Sequence, residues 1–226
     1  KKAHLDANNL KIVAIIPIRG EDNLIGKKPQ MAFTIDSARK SKYIDQVFVT
    51  SDNDKTSELA KSFGAECPFL RSKDLSMPYV SLDSVLKDFV FKLEEIEIYP
   101  DLVVTLEETF PFRDNALIDE MIEHILSTGL DTVIAAKLES GSLWQENEDN
   151  SYLRLDSGDT PRLYKEKSYI GLKGLCCITH TEFVRREDTW NSEIGLFEVK
   201  TPLSAFEVRS QYDRQIADRL LNKGTQ

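Results

Sequence analysis

Arg19-Gly20 closes an apolar run, Lys11-Ile12-Val13-Ala14-Ile15-Ile16-Pro17-Ile18, and opens a polar loop that ends in Lys27-Lys28-Pro29. A guanidinium at the carboxyl end of a buried strand sits where open α/β sheets bind ligands. With loop N–H groups and the flexible cations Lys27 and Lys28, it can hold a phosphate-rich anion. Each cation also has an ordinary role open to it. Arg19 can cap a strand end at the surface, and the two lysines can be a solvated pair. Glu21 and Asp22 share the loop. Carboxylates beside a phosphate chain repel it unless a metal intervenes.

Further along, Arg71 follows a second apolar stretch, and Ser81 precedes the helical stripe Val85, Leu86, Phe89. Ser81 is a natural N-cap there, with or without a ligand. Glu107, Thr109 and Arg113 follow the apolar run Leu102 to Leu106, so they too fall at a strand end. Arg113 has Asp114 beside it as a plain partner. Lys173 adjoins Gly174 and is suited to an acidic group on a ligand. Glu207 and Arg209 alternate, which on a strand puts them on one face. They form either a surface ion pair or part of a site. His180 reads as a helix cap or surface residue rather than a base. Asp52-Asn53-Asp54 fits an Asp-x-Asp metal pattern literally, and helix capping explains both aspartates.

The elements that position these residues alternate. Buried strands are expected at Lys11–Pro17, Gln46–Ser51, Asp101–Leu106 and Thr132–Ala136, and a short one at Glu66–Leu70. Helices are expected from Pro29, after Asp52, from Ser81 and over Ala116–Leu126. Later strands fall at Gly174–Thr179 and Leu196–Val199, and a closing helix at Gln211–Leu221. That rhythm predicts an α/β fold, a doubly wound, mostly parallel sheet. Residues 1–10 read as a tail or the cut end of a longer chain, and 11–226 as the folded domain. From about 140 to 168 the rhythm breaks into a polar stretch carrying Trp144, Tyr152 and Tyr164, too long for a connection, and so an insertion or arm.

A length of 226 residues suits one such domain. The net charge of −9 argues against nucleic acid as a partner, because a phosphate backbone needs a basic surface. No apolar run reaches the length of a membrane span. Cys176 and Cys177 lie in an apolar stretch, which suits buried thiols in a reducing cytoplasm.

These motifs, in this order, resemble the acylneuraminate cytidylyltransferase family, that of the CMP-sialic acid synthetases. Ile15-Ile16-Pro17-Ile18-Arg19-Gly20 is similar to the family's first strand and nucleotide loop, and Lys28-Pro29-Gln30-Met31-Ala32-Phe33-Thr34-Ile35 to its first helix. Val49-Thr50-Ser51-Asp52 is similar to its Val-Ser-Thr-Asp turn. Phe63 to Arg71 resembles the stretch ending in its nucleotide-side arginine, and Leu106 to Arg113 resembles Leu-Gln-Pro-Thr-Ser-Pro-Leu-Arg. The resemblance runs from about Ile12 to Leu221.

It implies transfer of CMP from CTP to an acidic 2-keto sugar, with pyrophosphate leaving. On that reading Arg19 and Lys28 are catalytic. Arg19, Gly20, Lys27, Arg71 and Ser81 hold the nucleotide. Glu107, Thr109, Arg113 and Lys173 meet the sugar. Mg²⁺ is the implied cofactor, with Glu207 its ligand, and the inserted arm implies a homodimer. The reading requires one cavity joining Arg19 to Arg71.

The chain also departs from the family. The loop is shorter and acidic, Glu107 replaces a glutamine, and Phe206-Glu207-Val208-Arg209 stands in place of an Asp-Ile-Asp metal motif. Arg209 cannot bind a metal, and its fixed charge can stand in for one. A catalytically impaired relative that binds nucleotide or sugar, or serves as a partner domain, is therefore the alternative. A glycosyltransferase of similar sheet architecture is a weaker third.

Overall fold

The computed structural model describes residues 7–20, 23–156, 158, 160, 161 and 164–223. At its centre is strand β1 (Ile12–Pro17), whose first five residues are buried. A two-residue-stranded hairpin, β2 (Leu24–Ile25) with β3 (Lys28–Pro29), leads into α1 (Gln30–Arg39). Then follow β4 (Gln46–Thr50), α2 (Asp54–Ser62), α3 (Leu82–Glu95), β5 (Leu102–Thr105), α4 (Leu117–Thr128) and β6 (Thr132–Glu139). The arm is a hairpin of β7 (Trp144–Glu146) and β8 (Tyr152–Arg154). The chain continues through β9 (Ser168–Gly171), β10 (Cys177–His180), α5 (Thr181–Arg186), β11 (Ile194–Glu198) and α6 (Gln211–Lys223).

The main sheet runs β11-β6-β10-β5-β1-β4, with β9 pairing β6 off that path. Strand β1 is parallel to both β4 and β5, and β11 is parallel to β6. Strands β10 and β9 are antiparallel to their neighbours. The expected doubly wound, mostly parallel sheet therefore forms, with these two as its reversed members. From β1 the chain adds β4 on one side and then β5 on the other. The strand order reverses there, and a crevice opens at the carboxyl ends.

Period-two alternation along β1 feeds two cores. Ile12, Ala14 and Ile16 pack with Met31 and Ile35 of α1 and with Ile118, Met121 and Ile122 of α4. Val13 and Ile15 pack on the other face with Leu86, Phe89 and Leu93 of α3. Truncating one of the buried Ile, Leu or Met side chains among these to Ala is expected to cost about 2–5 kcal/mol. A third cluster of Ile25, Val208 and Ala217, with Phe33, Phe112 and Phe206 against it, seats α6 on the β2–β3 hairpin. No helix among the described residues is long and apolar enough to cross a membrane.

Three local expectations change. The strand at Glu66–Leu70 reduces to two bridges, Phe48 to Glu66 and Ser51 to Leu70. Four steps along one segment face three along the other, and Pro68 has no N–H to donate, so a regular ladder cannot form. Asn53, rather than Asp52 or Asp54, caps α2 by accepting from the N–H groups of Lys55 and Thr56. Residues 206–209 are not a strand, although Glu207 and Arg209 still meet. Residues 1–6 of the expected tail, and both Glu21 and Asp22, lie outside the described residues.

Candidate functional site

Chain direction brings Ile18-Arg19-Gly20, Ser51-Asp52 and Leu106 to Thr109 to the carboxyl edge of the sheet, at the ends of β1, β4 and β5. Gly20 turns with φ +68°, in the left-handed region that glycine tolerates. Its N–H donates to Asp52 Oδ1 at 3.2 Å, and its carbonyl accepts from Thr56 Oγ1 at 2.8 Å. Freed of helix capping, Asp52 thus pins the start of the loop.

Arg71 is 6% exposed and joins two strand ends. Its guanidinium donates to the carbonyls of Ile18 (2.8 Å) and Thr50 (3.1 Å), and its Nε to Ser76 Oγ (2.9 Å). Asp52 lies 3.7 Å away. Burial pulls the Arg71 pKa down, and the Asp52 charge opposes that. The result is a cation fixed by main-chain acceptors.

One cleft of about 320 Å³ is lined by both Arg19 and Arg71. Its floor is Pro17, Ile18, Val80, Leu82 and Val85. Its polar rim adds Glu107, Glu108, Thr109 and Arg209. The cavity that the reading required is therefore present. Arg19 is exposed and makes no hydrogen bond or ion pair among the described residues. Ser81 caps α3 by accepting from Ser84 N–H at 3.1 Å and stands beside the cleft-lining Leu82 rather than on the lining itself.

The opposite wall is built from distant segments. Gln30 Nε2 donates to the carbonyls of Glu108 (3.2 Å) and Val208 (2.8 Å). Val208 N–H donates to Thr109 O at 2.7 Å, and Thr109 Oγ1 to Glu207 Oε1 at 3.4 Å. Arg209 then reaches Glu207 Oε1 at 2.6 Å and Glu107 Oε2 at 3.7 Å. Burial raises the Glu107 pKa, and Arg209 is the main charge working against that rise.

Other motif residues take different places. Arg113, read as a substrate contact, is 6% exposed behind the wall. It donates to the carbonyls of Leu175 (2.6 Å), Glu107 (3.1 Å) and Gly174 (3.3 Å), and to Thr34 Oγ1 (3.2 Å). Burial lowers its pKa to about 10, so it stays a cation at neutral pH. Its neighbours absorb the fork, and it shapes the loop instead of lining the cleft. Lys28 pairs with Asp36 at 2.5 Å and lies 4.4 Å from the centroid of the Phe33 ring. Lys27 is exposed in the turn between β2 and β3, and neither lysine lines the cleft. Lys173 pairs with Asp83 at 2.6 Å beside a separate small recess. Gln30 was invisible as a site residue. Its only signal is a polar residue at a buried position of α1.

The described residues do not fit the implied Mg²⁺. No group of three His, Cys, Asp or Glu side chains is placed to hold a metal. The expected ligand, Glu207, is committed to Arg209 and Thr109. Mg²⁺ is commonly held by one or two carboxylates, with phosphates and water completing its octahedron, and here the carboxylate expected to hold it is already taken by a guanidinium.

Residues 23–180 match the profile of a family described as Cytidylyltransferase. The chain is 30% identical, over 62% of its length, to a CMP-N,N'-diacetyllegionaminic acid synthase of Legionella pneumophila. It is 28% identical, over 56%, to a pseudaminic acid cytidylyltransferase of Campylobacter jejuni. The matches span 64% and 58% of those relatives. A solved CMP:2-keto-3-deoxy-manno-octonic acid synthetase, complexed with CTP, aligns at TM-score 0.72 and 14% identity, over 95% of this chain and 99% of that one. At that identity the likeness concerns the fold.

Proposed function

We propose, because the chain belongs to the cytidylyltransferase family, that it is a nucleotidyltransferase moving CMP from CTP to an acidic 2-keto sugar. The single observation that carries this is the shared cleft of Arg19 and Arg71 at the switch point of the sheet. A sugar hydroxyl attacks the α-phosphorus of CTP. The new P–O bond forms as the bond to pyrophosphate breaks. Such a step depends on positioning and on cancelling phosphate charge.

Arg71 presents a cation that needs no rearrangement. Arg19, without a partner among the described residues, is free to follow the phosphate chain. Thr109 and the acceptor-only Glu107 face the sugar hydroxyls. Lys28 and Lys27 act only by moving toward the cleft from the hairpin, so their part is the smaller one. Ser81 acts from its margin, and Lys173, paired with Asp83 at a separate recess, takes no part in this arrangement.

Pyrophosphate release from CTP with a panel of 2-keto acid sugars tests the reading. Release with one sugar supports it. None across the panel, with folded protein, counts against it. A second reading, a relative that binds without turnover, draws on the ion pair that Arg209 makes at the expected metal position. Calorimetry separates the two: tight CMP-sugar binding without turnover favours the second.

The exposed aromatic face of the β7–β8 arm supports a homodimer. The free cysteines, two of them buried, suit the cytoplasm.

A further inference from the structure

Arg209 stands where the family resemblance calls for a metal ligand, yet it carries a permanent positive charge. Its Nε and Nη2 both lie 2.6 Å from Glu207 Oε1, and Nη2 lies 3.7 Å from Glu107 Oε2. The two carboxylates that could have shared a divalent ion thus share a guanidinium. The backbone under it is clamped. Arg209 N–H donates to Asp213 Oδ2 at 3.2 Å, and its carbonyl accepts from Arg214 Nη1 at 3.3 Å. Val208, one residue back, is tied on both sides by Gln30 and Thr109.

Arg209 also lines the same cleft as Arg19 and Arg71. Glu107 and Glu108 are the carboxylates of that lining. Without Arg209 two cations would face two carboxylates, and a triphosphate would gain no net attraction. With it the lining gains a third guanidinium, whose charge Glu207 balances only in part because the group also reaches toward Glu107 and the cleft. Nε and Nη2 of the planar fork take the bonds to Glu207, and guanidinium groups suit phosphate oxygens as partners for the donors that remain.

We propose that Arg209 is the resident cation of this cleft, binding the triphosphate in place of a divalent ion held by Glu107 and Glu207. The proposal rests on the cytidylyltransferase reading for its ligand but makes its own claim about the metal. Arg209 is well exposed, so substituting it leaves the fold intact.

Two measurements on the whole chain test it. Calorimetry with CTP in EDTA and in Mg²⁺ reads the nucleotide. Wild-type affinity is expected to agree within about twofold between the two buffers. Arg209→Gln should weaken CTP binding in EDTA by about tenfold or more, the loss of one charge-assisted contact, and regain much of it in Mg²⁺. Arg209→Lys keeps the charge, loses the fork, and should fall between. Electron paramagnetic resonance with Mn²⁺ and no nucleotide reads the metal. Arg209→Gln should take up one ion per chain, through carboxylates freed of their partner, and wild type none.

A wild type that needs Mg²⁺ to bind CTP overturns the proposal. So does a wild type that binds one Mn²⁺ and loses it in Glu207→Gln. If no CTP binds in either buffer, the functional reading fails instead, and the Mn²⁺ titration still decides the role of Arg209.

Discussion

The cleft and the β7–β8 arm are both rich in charge, but their charges end on different groups. Arg71 in the cleft and Arg113 behind its wall donate mainly to main-chain carbonyls of distant segments. Thr50 closes β4, and the other carbonyls lie within two residues of the ends of β1, β5 and β10, so the cations are held by the fold itself. In the arm, Arg154 and Lys165 donate to one carboxylate, Asp156, at 2.5 and 2.8 Å, within a few residues of chain. The arm is therefore self-contained. Its apolar side chains Trp144, Tyr152, Leu153 and Leu155 remain exposed. One region has a cation, Arg71, already fixed in place, as the proposed anion site requires. The other keeps its own shape and leaves those side chains in solvent.

The strongest way to break this contrast is Arg113→Met. It removes the donor to the Leu175 carbonyl in the interior, and leaves the Glu107 carbonyl to Thr34 Oγ1 and the Gly174 carbonyl to Glu107 N–H. A loss of about 3–5 kcal/mol is expected in chemical denaturation. Unchanged stability with lost activity would instead return Arg113 to the substrate.

Gly174→Ala comes next. A Cβ there would stand 2.7 Å from Glu107 Cδ and 3.1 Å from its Cβ. Displacing Glu107 is expected to cost about 1–3 kcal/mol and to raise the KM for the sugar more than that for CTP. Equal effects on both substrates would show that Glu107 does not discriminate between them.

The pH response sharpens the comparison, because the two regions titrate in opposite senses. Asp156 is held below the usual carboxylate range, by Lys165 first and then Arg154. A depressed carboxylate stabilises above its unfolded pKa of about 3.9 and loses that contribution as pH falls further. Burial raises Glu107 instead. Its contribution is full below the unfolded value of about 4.3 and is lost as pH rises through the raised pKa. Arg154 lies 5.6 Å from the Trp144 ring centroid, so Trp144 fluorescence should report the arm loosening below about pH 4. Loosening of the arm at neutral pH would contradict the assignment to Asp156.

The smallest effect on stability should come from Trp144→Ser with Tyr152→Ser. Unfolding of the protomer should change by no more than about 0.5 kcal/mol for each. Sedimentation at micromolar concentration should nevertheless shift from dimer to monomer. A dimer that survives both changes uses another face.

Much of the architecture was legible in the residues. The run Ile12–Pro17 is too apolar for a half-exposed strand, and the stripe of Val85, Leu86 and Phe89 has helical period. Ser81 before that stripe is the N-cap that the structure contains. Arg19 was legible because a strand-end rule needs only the strand and its direction. The capping of α2 was less so, since three adjacent residues, Asp52, Asn53 and Asp54, could all have served. The loop geometry chose the middle one and sent Asp52 to Gly20.

Periodicity and polarity act between residues a few positions apart, so the chain alone determined its strands, its helices and the edge where a site would open. Which motif cations reach that edge was decided only in three dimensions. Arg113 finds its acceptor 62 residues away at Leu175, and Arg209 finds Glu107 across the folded wall. A long side chain goes wherever packing leaves an acceptor open. The set of open acceptors exists only once the sheet has closed around it.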